Sequence, residues 1–271
     1  MEKAIGEYFF SGKNRYPVSA FHHQAGKNQI YEVLRIADGI PLFLEDHLTR
    51  MNESLSMVHA EPIRSLEEIR NLILKLVKAN RVTSGNVKLI IGNELVDDFL
   101  IYLIPFCYPE KSMYAEGVPT GTLQLERQNP NAKVINTDYK AKVSRFIEEN
   151  GIHEAILVNR DGQMTEGSRS NLFFVLDDVL VTPPLHDVLG GITRKKVIEL
   201  AKRMDIPFRE DTISVDDIGR LSGVFLTGTS PKILPIRSID AITIPSTGCA
   251  IIRQLMERYD EEIRSYLTRE A

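Results

Sequence analysis

Between Ala155 and Met204 the chain reads as four short strands in succession and then a helix, and this run constrains the fold more than any other. Ala155–Asn159, Gln163–Thr165, Asn171–Leu176 and Val179–Thr182 have strand character. Arg160-Asp161-Gly162 and Asp177-Asp178 supply the turns between them. Gly190-Gly191 then leads into a helix over Thr193–Met204, with Val197, Ile198, Leu200 and Ala201 facing inward. Short strands joined by tight turns and followed by a helix imply a mixed sheet packed against helices.

The same alternation runs through the first hundred residues. Gln29–Ile36 reads as a strand, and Asp38-Gly39 makes a hairpin turn before Pro41-Leu42-Phe43-Leu44. Glu45 to Val58 reads as a helix with Leu48, Met51, Leu55 and Val58 on one stripe. Ser65 and Glu68 form a capping-box pattern ahead of a second helix, whose apolar face is Leu66, Ile69, Leu72, Ile73, Leu76 and Val77. Strands are expected at Asn86–Ile91 and Phe99–Pro105. Tyr108–Gly117 is polar and broken by proline and glycine, so it reads as a connection between domains. Asp138–Asn150 reads as a helix closed by Gly151, Gly223–Thr227 as a strand, and Gly248–Thr268 as a closing helix. The expected architecture is α+β or α/β in two domains. A small N-terminal α/β domain spans 1–115, and a larger C-terminal domain of mixed sheet and helices spans 118–271.

Composition narrows the function. The 271 residues carry a formal net charge of −4 with dispersed basic residues, which speaks against a nucleic-acid partner. No stretch approaches the roughly 20 apolar residues of a membrane span. The start, Met1-Glu2-Lys3-Ala4, has no apolar signal region. Cys107 and Cys249 are far apart, and none of the six histidines forms a His-x-x-x-His pair. A cytoplasmic protein with free thiols and no metal site is the expectation.

The chemistry sits in a constellation. Lys133, in Asn131-Ala132-Lys133-Val134, is a candidate for a Schiff base. Glu166 precedes the small residues Gly167, Ser168 and Ser170, which allow a planar ring to come close, and its carboxylate suits a ring nitrogen. Ile192 and Thr193 stand where a helix begins, so backbone N–H groups and the positive end of the helix dipole can meet a phosphate there. Gly228-Thr229-Ser230 offers a second small, hydroxyl-rich turn after a strand. Arg50, in His47-Leu48-Thr49-Arg50, offers a guanidinium for a phosphate dianion. A lysine, a ring-nitrogen carboxylate and a phosphate-binding helix start are together what pyridoxal 5'-phosphate (PLP) requires. Taken singly, a loop lysine, a turn glutamate and a helix arginine would each be read as solvent-facing.

These segments resemble the class IV, fold-type IV family of PLP aminotransferases. That family includes branched-chain aminotransferases, D-amino acid aminotransferases and 4-amino-4-deoxychorismate lyases. The family signature runs without a break from Glu166 through Asn171-Leu172-Phe173 and Leu180-Val181-Thr182 to Leu189-Gly190-Gly191-Ile192-Thr193-Arg194. The resemblance extends to Tyr31-Glu32-Val33, His47-x-x-Arg50, Lys133 and Gly228-Thr229. It implies that Lys133 carries the Schiff base and shuttles the substrate proton. It also implies that Glu166 pairs with the pyridine nitrogen, and that Arg50, Ile192, Thr193, Gly228 and Thr229 hold the phosphate. By the same resemblance Tyr139 lies near the cofactor and Tyr31 on the substrate side; Arg169 and Ser230 are further candidates for the substrate side from their places beside Glu166 and Thr229. Amino acid and 2-oxo acid substrates, a cofactor between the two domains and a homodimer are further implications.

The departures bear on substrate. Ile90–Asp97 lacks both the Arg-x-His of D-amino acid aminotransferases and the Tyr-x-Arg usual in branched-chain enzymes. The spacing Lys133-Val134-Ile135-Asn136 is closer to the lyase and D-amino acid branches. Tyr31-Glu32-Val33, Thr182-Pro183-Pro184 and Ile233-Leu234-Pro235-Ile236-Arg237 are closer to the branched-chain branch. Arg169 either meets a substrate carboxylate or is an exposed turn residue. The expected function is transfer of an amino group between an apolar, branched-chain L-amino acid and a 2-oxo acid. The lyase reaction, a D-amino acid aminotransferase and a non-catalytic relative are the alternatives.

Overall fold

The computed structural model describes residues 3–23, 29–61, 63, 65–92, 99–127 and 130–271. They form two compact units. The first comprises Met1–Cys107, Ala132–Thr137 and Ile263–Ala271, and the second Tyr108–Asn131 and Asp138–Glu262. A single boundary near 115–118 therefore does not describe the division: the short segment around Lys133 groups with the first unit, as does the chain's end.

In the first unit six strands form one sheet in the order β2-β1-β6-β5-β3-β4. They are β1 (Ile5–Ser11), β2 (Asn14–Pro17), β3 (Ile30–Ala37), β4 (Ile40–Pro41), β5 (Ser84–Ile91) and β6 (Phe99–Ile104). The β1–β2 hairpin has no counterpart in the sequence reading. At the β3–β4 hairpin Asp38 and Gly39 both adopt positive φ, as a two-residue turn of this hand requires. β3 alternates strictly between buried and half-buried residues. One face, with Ile30, Leu34 and Ile36, joins the main apolar core with residues of α1 (Leu44–Met57) and α2 (Leu66–Ala79). The other gathers Tyr31, Ile90, Leu100, Tyr102, Phe9 and Phe21. Ser65 Oγ accepts from Glu68 N and caps α2 as expected. The Glu68 side chain instead pairs with Lys13.

The second unit opens with α3 (Lys111–Glu116), a short helix in what the sequence suggested was only a connection. The strands β7 (Val118–Gln124), β8 (Glu154–Val158), β9 (Gln163–Gly167), β10 (Asn171–Leu176), β11 (Val179–Thr182), β12 (Phe208–Glu210), β13 (Ile213–Ser214), β14 (Gly223–Gly228), β15 (Lys232–Ile239) and β16 (Ile242–Thr243) make one large sheet. The pairing order through its middle is β10-β14-β15-β7-β8-β9, and β9 then returns to β10 through Glu166 and Asn171. Six strands thus close on themselves around a core that includes Ile156, Met164, Leu172, Phe174, Leu226 and Leu234. The helices are α4 (Thr137–Asn150), α5 (Ile192–Arg203) and α6 (Ala250–Glu270), the last crossing into the first unit at Ile263. Gly151, at φ +60°, ends α4 in a Schellman motif: its N–H donates to Glu148 and that of Ile152 to Ile147. Among the described residues no helix is long and apolar enough to cross a membrane.

Candidate active site

In the first unit the lysine is fixed by an extended segment lying beside β3. The Tyr31 N–H donates to the Lys133 carbonyl, the Ile135 N–H donates to the Gln29 carbonyl, and Ile30 bridges Val134. Lys133 is half-buried, and its Nζ stands 4.8 Å from the centre of the Tyr31 ring. Its N–H approaches Ser54 Oγ on α1 at 3.4 Å.

α1 also presents His47 and Arg50, a turn apart and on the Ser54 side of the helix. Both are buried, so the solvent-facing reading of Arg50 does not hold. Glu32 sits opposite them on the buried face of β3 with no exposed surface. Arg50 donates through Nε and Nη2 to the two Glu32 oxygens at 2.8 and 2.6 Å, and His47 Nδ1 lies 2.8 Å from Oε2. Burial alone would raise the Glu32 pKa. Arg50 and then His47 act against it more strongly, and the carboxyl is held well below the usual range. Burial lowers the His47 pKa, with the Glu32 carboxylate opposing and Arg50 and Lys133 adding to the depression. A neutral His47 must then carry its proton on Nδ1 to satisfy Glu32. Glu32 and the pairing it gives Arg50 were passed over in the sequence, where Tyr31-Glu32-Val33 drew attention to the tyrosine.

In the second unit Glu166 stands at the end of β9, 3% exposed. Its Oε1 accepts from Arg127 Nη1 at 3.1 Å and its Oε2 from the Leu189 N–H at 3.2 Å. Asn171 Nδ2 donates to the Leu189 carbonyl at 2.7 Å. These bonds tie the Glu166–Asn171 turn to the Leu189-Gly190-Gly191 turn at the start of α5. A Cβ on Gly191 would overlap Asn171 Oδ1, which explains the glycine. Asn171 also pairs with Thr227, so the Gly228-Thr229-Ser230 turn after β14 leaves the same end of the sheet. Tyr139, on α4, donates its hydroxyl to the Ser168 carbonyl at 2.9 Å. Stretches at Arg127, Tyr139, Glu166–Asn171, Leu189–Gly191 and Thr227 therefore meet in this unit. Among the described residues, the buried Ser168 Oγ and Thr227 Oγ1 have no hydrogen-bond partner.

This donor set fits PLP. A buried carboxylate is held between a guanidinium and a backbone N–H, and a glycine leads into the N-terminus of α5 without a side-chain cap. Buried hydroxyls of Ser168 and Thr227 remain to be satisfied. The Thr193 hydroxyl lies 3.3 Å from the Tyr259 hydroxyl, which leaves its backbone N–H, the group the sequence pointed to, at the start of the helix. Arg169 is exposed and donates to the His153 carbonyl, the bland one of its two readings. Ser230 and Thr229 are half-buried. Arg127 was missed because nothing local marks it; 39 residues separate it from Glu166. The stretch Asn93–Asp97, where the carboxylate traps of relatives were sought, lies outside the described residues. Among the described residues no cluster of side chains could hold a metal.

Two sheets of this topology define a class of fold, and comparison with known proteins gives it a name. Residues 29–239 match the model of the amino-transferase class IV family, and the chain belongs to that family. The D-alanine aminotransferase of Bacillus licheniformis is 30% identical over 230 residues, covering 80% of this chain and 81% of that protein. The branched-chain-amino-acid aminotransferase of Escherichia coli strain K12 is 26% identical over 234 residues, covering 79% and 75%. The structure of a branched-chain aminotransferase from the archaeon Thermoproteus uzoniensis superposes with a TM-score of 0.84 at 23% identity, covering 96% of each chain. That likeness is one of fold, and it makes the architecture fold type IV. The protein is an enzyme of a PLP-dependent family.

Proposed function

We propose that this enzyme transfers the amino group of an apolar, branched-chain L-amino acid to a 2-oxo acid, with Lys133 as its catalytic residue. The hydrogen-bonded link from Glu166 through Leu189 and Asn171 to the start of α5 carries the reading, because a buried carboxylate tied to a helix N-terminus is the pairing that a ring nitrogen and a phosphate would need. When bound, PLP supplies a protonated ring that withdraws electrons from the substrate's α-carbon. Glu166, steadied by Arg127, keeps the ring nitrogen protonated. Arg50, Gly228, Thr229 and the N–H groups of Ile192 and Thr193 bind the phosphate. Lys133 Nζ holds the cofactor and, once released, takes and returns the α-proton. Tyr139 steadies the Ser168 turn beside the ring. Tyr31 and Ser230 face the substrate, while Arg169 is left out because His153 engages it. The apolar donor is supported by relatives named for branched-chain substrates. A cytoplasmic homodimer is part of the proposal, and light scattering of the purified protein measures the oligomer.

The test is the absorbance spectrum of the purified protein before and after L-leucine, D-alanine and L-glutamate are added separately. A visible cofactor band that L-leucine converts to the pyridoxamine form supports the proposal. Conversion by D-alanine alone replaces the donor. A band that none of the three changes, together with release of 4-aminobenzoate from aminodeoxychorismate, replaces transfer with the lyase reaction. Lys133→Ala should lose the band, with turnover falling by roughly 10²–10⁴-fold from the missing proton transfer alone. Wild-type turnover in that variant would refute the lysine assignment.

A further inference from the structure

The buried stripe of α6 runs through Ile252, Leu255 and Tyr259, at the spacing of one helix face. Two of these side chains are aliphatic and the third carries a hydroxyl. An apolar side chain would fill the place of Tyr259, whereas a buried hydroxyl there needs a partner. The Tyr259 hydroxyl lies 3.3 Å from Thr193 Oγ1, itself buried in the first turn of α5. The next residue, Asp260, meets a different element. Its Oδ1 accepts from Lys232 Nζ at 2.6 Å. Lys232 pairs with Gly228 across the base of the β14–β15 turn, and its φ of +55° is one that L residues rarely adopt. Tyr114 of α3 also holds this turn, donating its hydroxyl to the Pro231 carbonyl at 3.0 Å. All these residues belong to the second unit. Two neighbouring residues of one helix thus reach the start of α5 and the turn that carries Gly228 and Thr229.

We propose that α6, through Tyr259 and Asp260, positions the phosphate-binding groups of this enzyme. The inference rests on the proposed function, which gives the phosphate to the N–H groups of Ile192 and Thr193 and to Gly228 and Thr229. α5 begins without a side-chain cap, so its own sequence does not steady its first N–H groups. The Tyr259 hydroxyl steadies them from outside, through Thr193. The Asp260 carboxylate does the same for the β14–β15 turn, by holding Lys232 in its unfavourable backbone conformation. Donors already in place bind an anion more tightly, because nothing has to be ordered when it arrives. Tyr259 and Asp260 act through Thr193 and Lys232, so both are positioning residues. Their effect falls on the phosphate end of the cofactor and spares its ring.

The experiment titrates the full chain, stripped of cofactor, with PLP and separately with pyridoxal, which has the same ring and aldehyde but no phosphate. The visible band reports binding of each. Wild type, Tyr259→Phe, Asp260→Asn and the double variant are compared, and a thermal melt checks that each is folded. The double variant should bind PLP about tenfold more weakly, the scale of two hydrogen bonds, with pyridoxal affinity unchanged. Tyr259→Phe should account for the larger share, because its contact is buried while the Asp260 side chain is 46% exposed. In a Thr193→Val background Tyr259→Phe should add little, since the partner hydroxyl is already gone. Equal loss of PLP and pyridoxal affinity would reduce α6 to packing and overturn the proposal. So would wild-type PLP affinity in the double variant, or an undiminished Tyr259→Phe effect in the Thr193→Val background. Absence of a visible band in the wild type with either compound would instead sink the proposed function, so the two failures are separable.

Discussion

The two units bury a carboxylate beside their candidate site residues in opposite ways. Glu32 in the first unit is met by charged side chains, two N–H groups of Arg50 and the ring of His47. Glu154 in the second unit is met by neutral donors. Its Oε1 accepts from the Arg169 N–H at 2.7 Å and from Ser170 Oγ at 2.9 Å. The first arrangement aims a side chain, because the bidentate fork fixes the plane of the guanidinium. The second shapes backbone, because it pins the turn that follows Glu166. Gly167 belongs to the same device, since a Cβ there would overlap Ser170 Oγ and crowd Glu154. The contrast predicts that damage at Glu32 acts through uncompensated charge and damage at Glu154 through geometry.

Glu32→Ala probes the charged side of the contrast most harshly. It leaves Arg50 buried without its carboxylate, and breaking a buried pair from one side costs about 3–5 kcal/mol. Urea denaturation should show that loss, and phosphate-dependent cofactor affinity should fall with it. A loss under about 1 kcal/mol would mean that the pair breaks even and that Arg50 holds its place by packing. Gly191→Ala probes the backbone side. The added methyl meets Asn171 Oδ1, and the turn must shift, at a cost of about 1–3 kcal/mol. Cofactor release should quicken measurably by absorbance. Smaller again is Glu154→Gln, whose amide oxygen can still accept from the Arg169 N–H. It should cost no more than about 1 kcal/mol, whereas Glu154→Ala should cost about 1–3 kcal/mol by stranding buried donors. Equal costs for the two would show that the charge of Glu154 matters, and the contrast with Glu32 would dissolve.

The same contrast explains what could be read from the sequence. Local devices were legible: the Ser65 cap, the Asp38-Gly39 turn, the Gly151 terminus and the Gly190-Gly191 approach to α5 each depend on residues a few positions apart. So were residues whose spacing forms a motif, Glu166 and Ile192-Thr193 among them. The β1–β2 hairpin was not, because Gly12-Lys13 lies between strands whose outward residues are polar and whose period is weak. Arg127 and Glu154 were hidden for a different reason. Charged residues make up 26% of the chain, and nothing near these two separates them from the solvated majority. Their meaning comes from partners brought close by strand order, which pairs β7 with β8 and closes β9 onto β10. Arg50 shows the limit from the other side. Its helix was evident, but its burial depended on a glutamate one strand away.

The mildest test of the charged network is its response to acid. The pKa of His47 is lowered in the folded protein, so between about pH 6.5, its ordinary value, and the depressed folded value, the unfolded chain binds a proton that the native protein refuses. Stability must therefore fall as pH drops below about 6.5, by up to about 1.4 kcal/mol per pH unit from this residue. Glu32 acts lower. Its folded carboxyl is also depressed, so its contribution is whole above about pH 4.3 and is lost as pH falls from there towards the folded value. Two stages of acid weakening follow, the upper from His47 and the lower including Glu32. His47→Gln keeps an N–H donor for Glu32 but removes the titration, so it should flatten the upper stage and leave the lower one standing. His153 titrates with the same sign and is present in both proteins, so the difference between them isolates His47. Denaturation midpoints from pH 7.5 to 4.5 decide the matter. An unchanged upper slope in His47→Gln would mean that His47 keeps its proton in the folded state, and Glu32 would then be a carboxylate between two permanent cations.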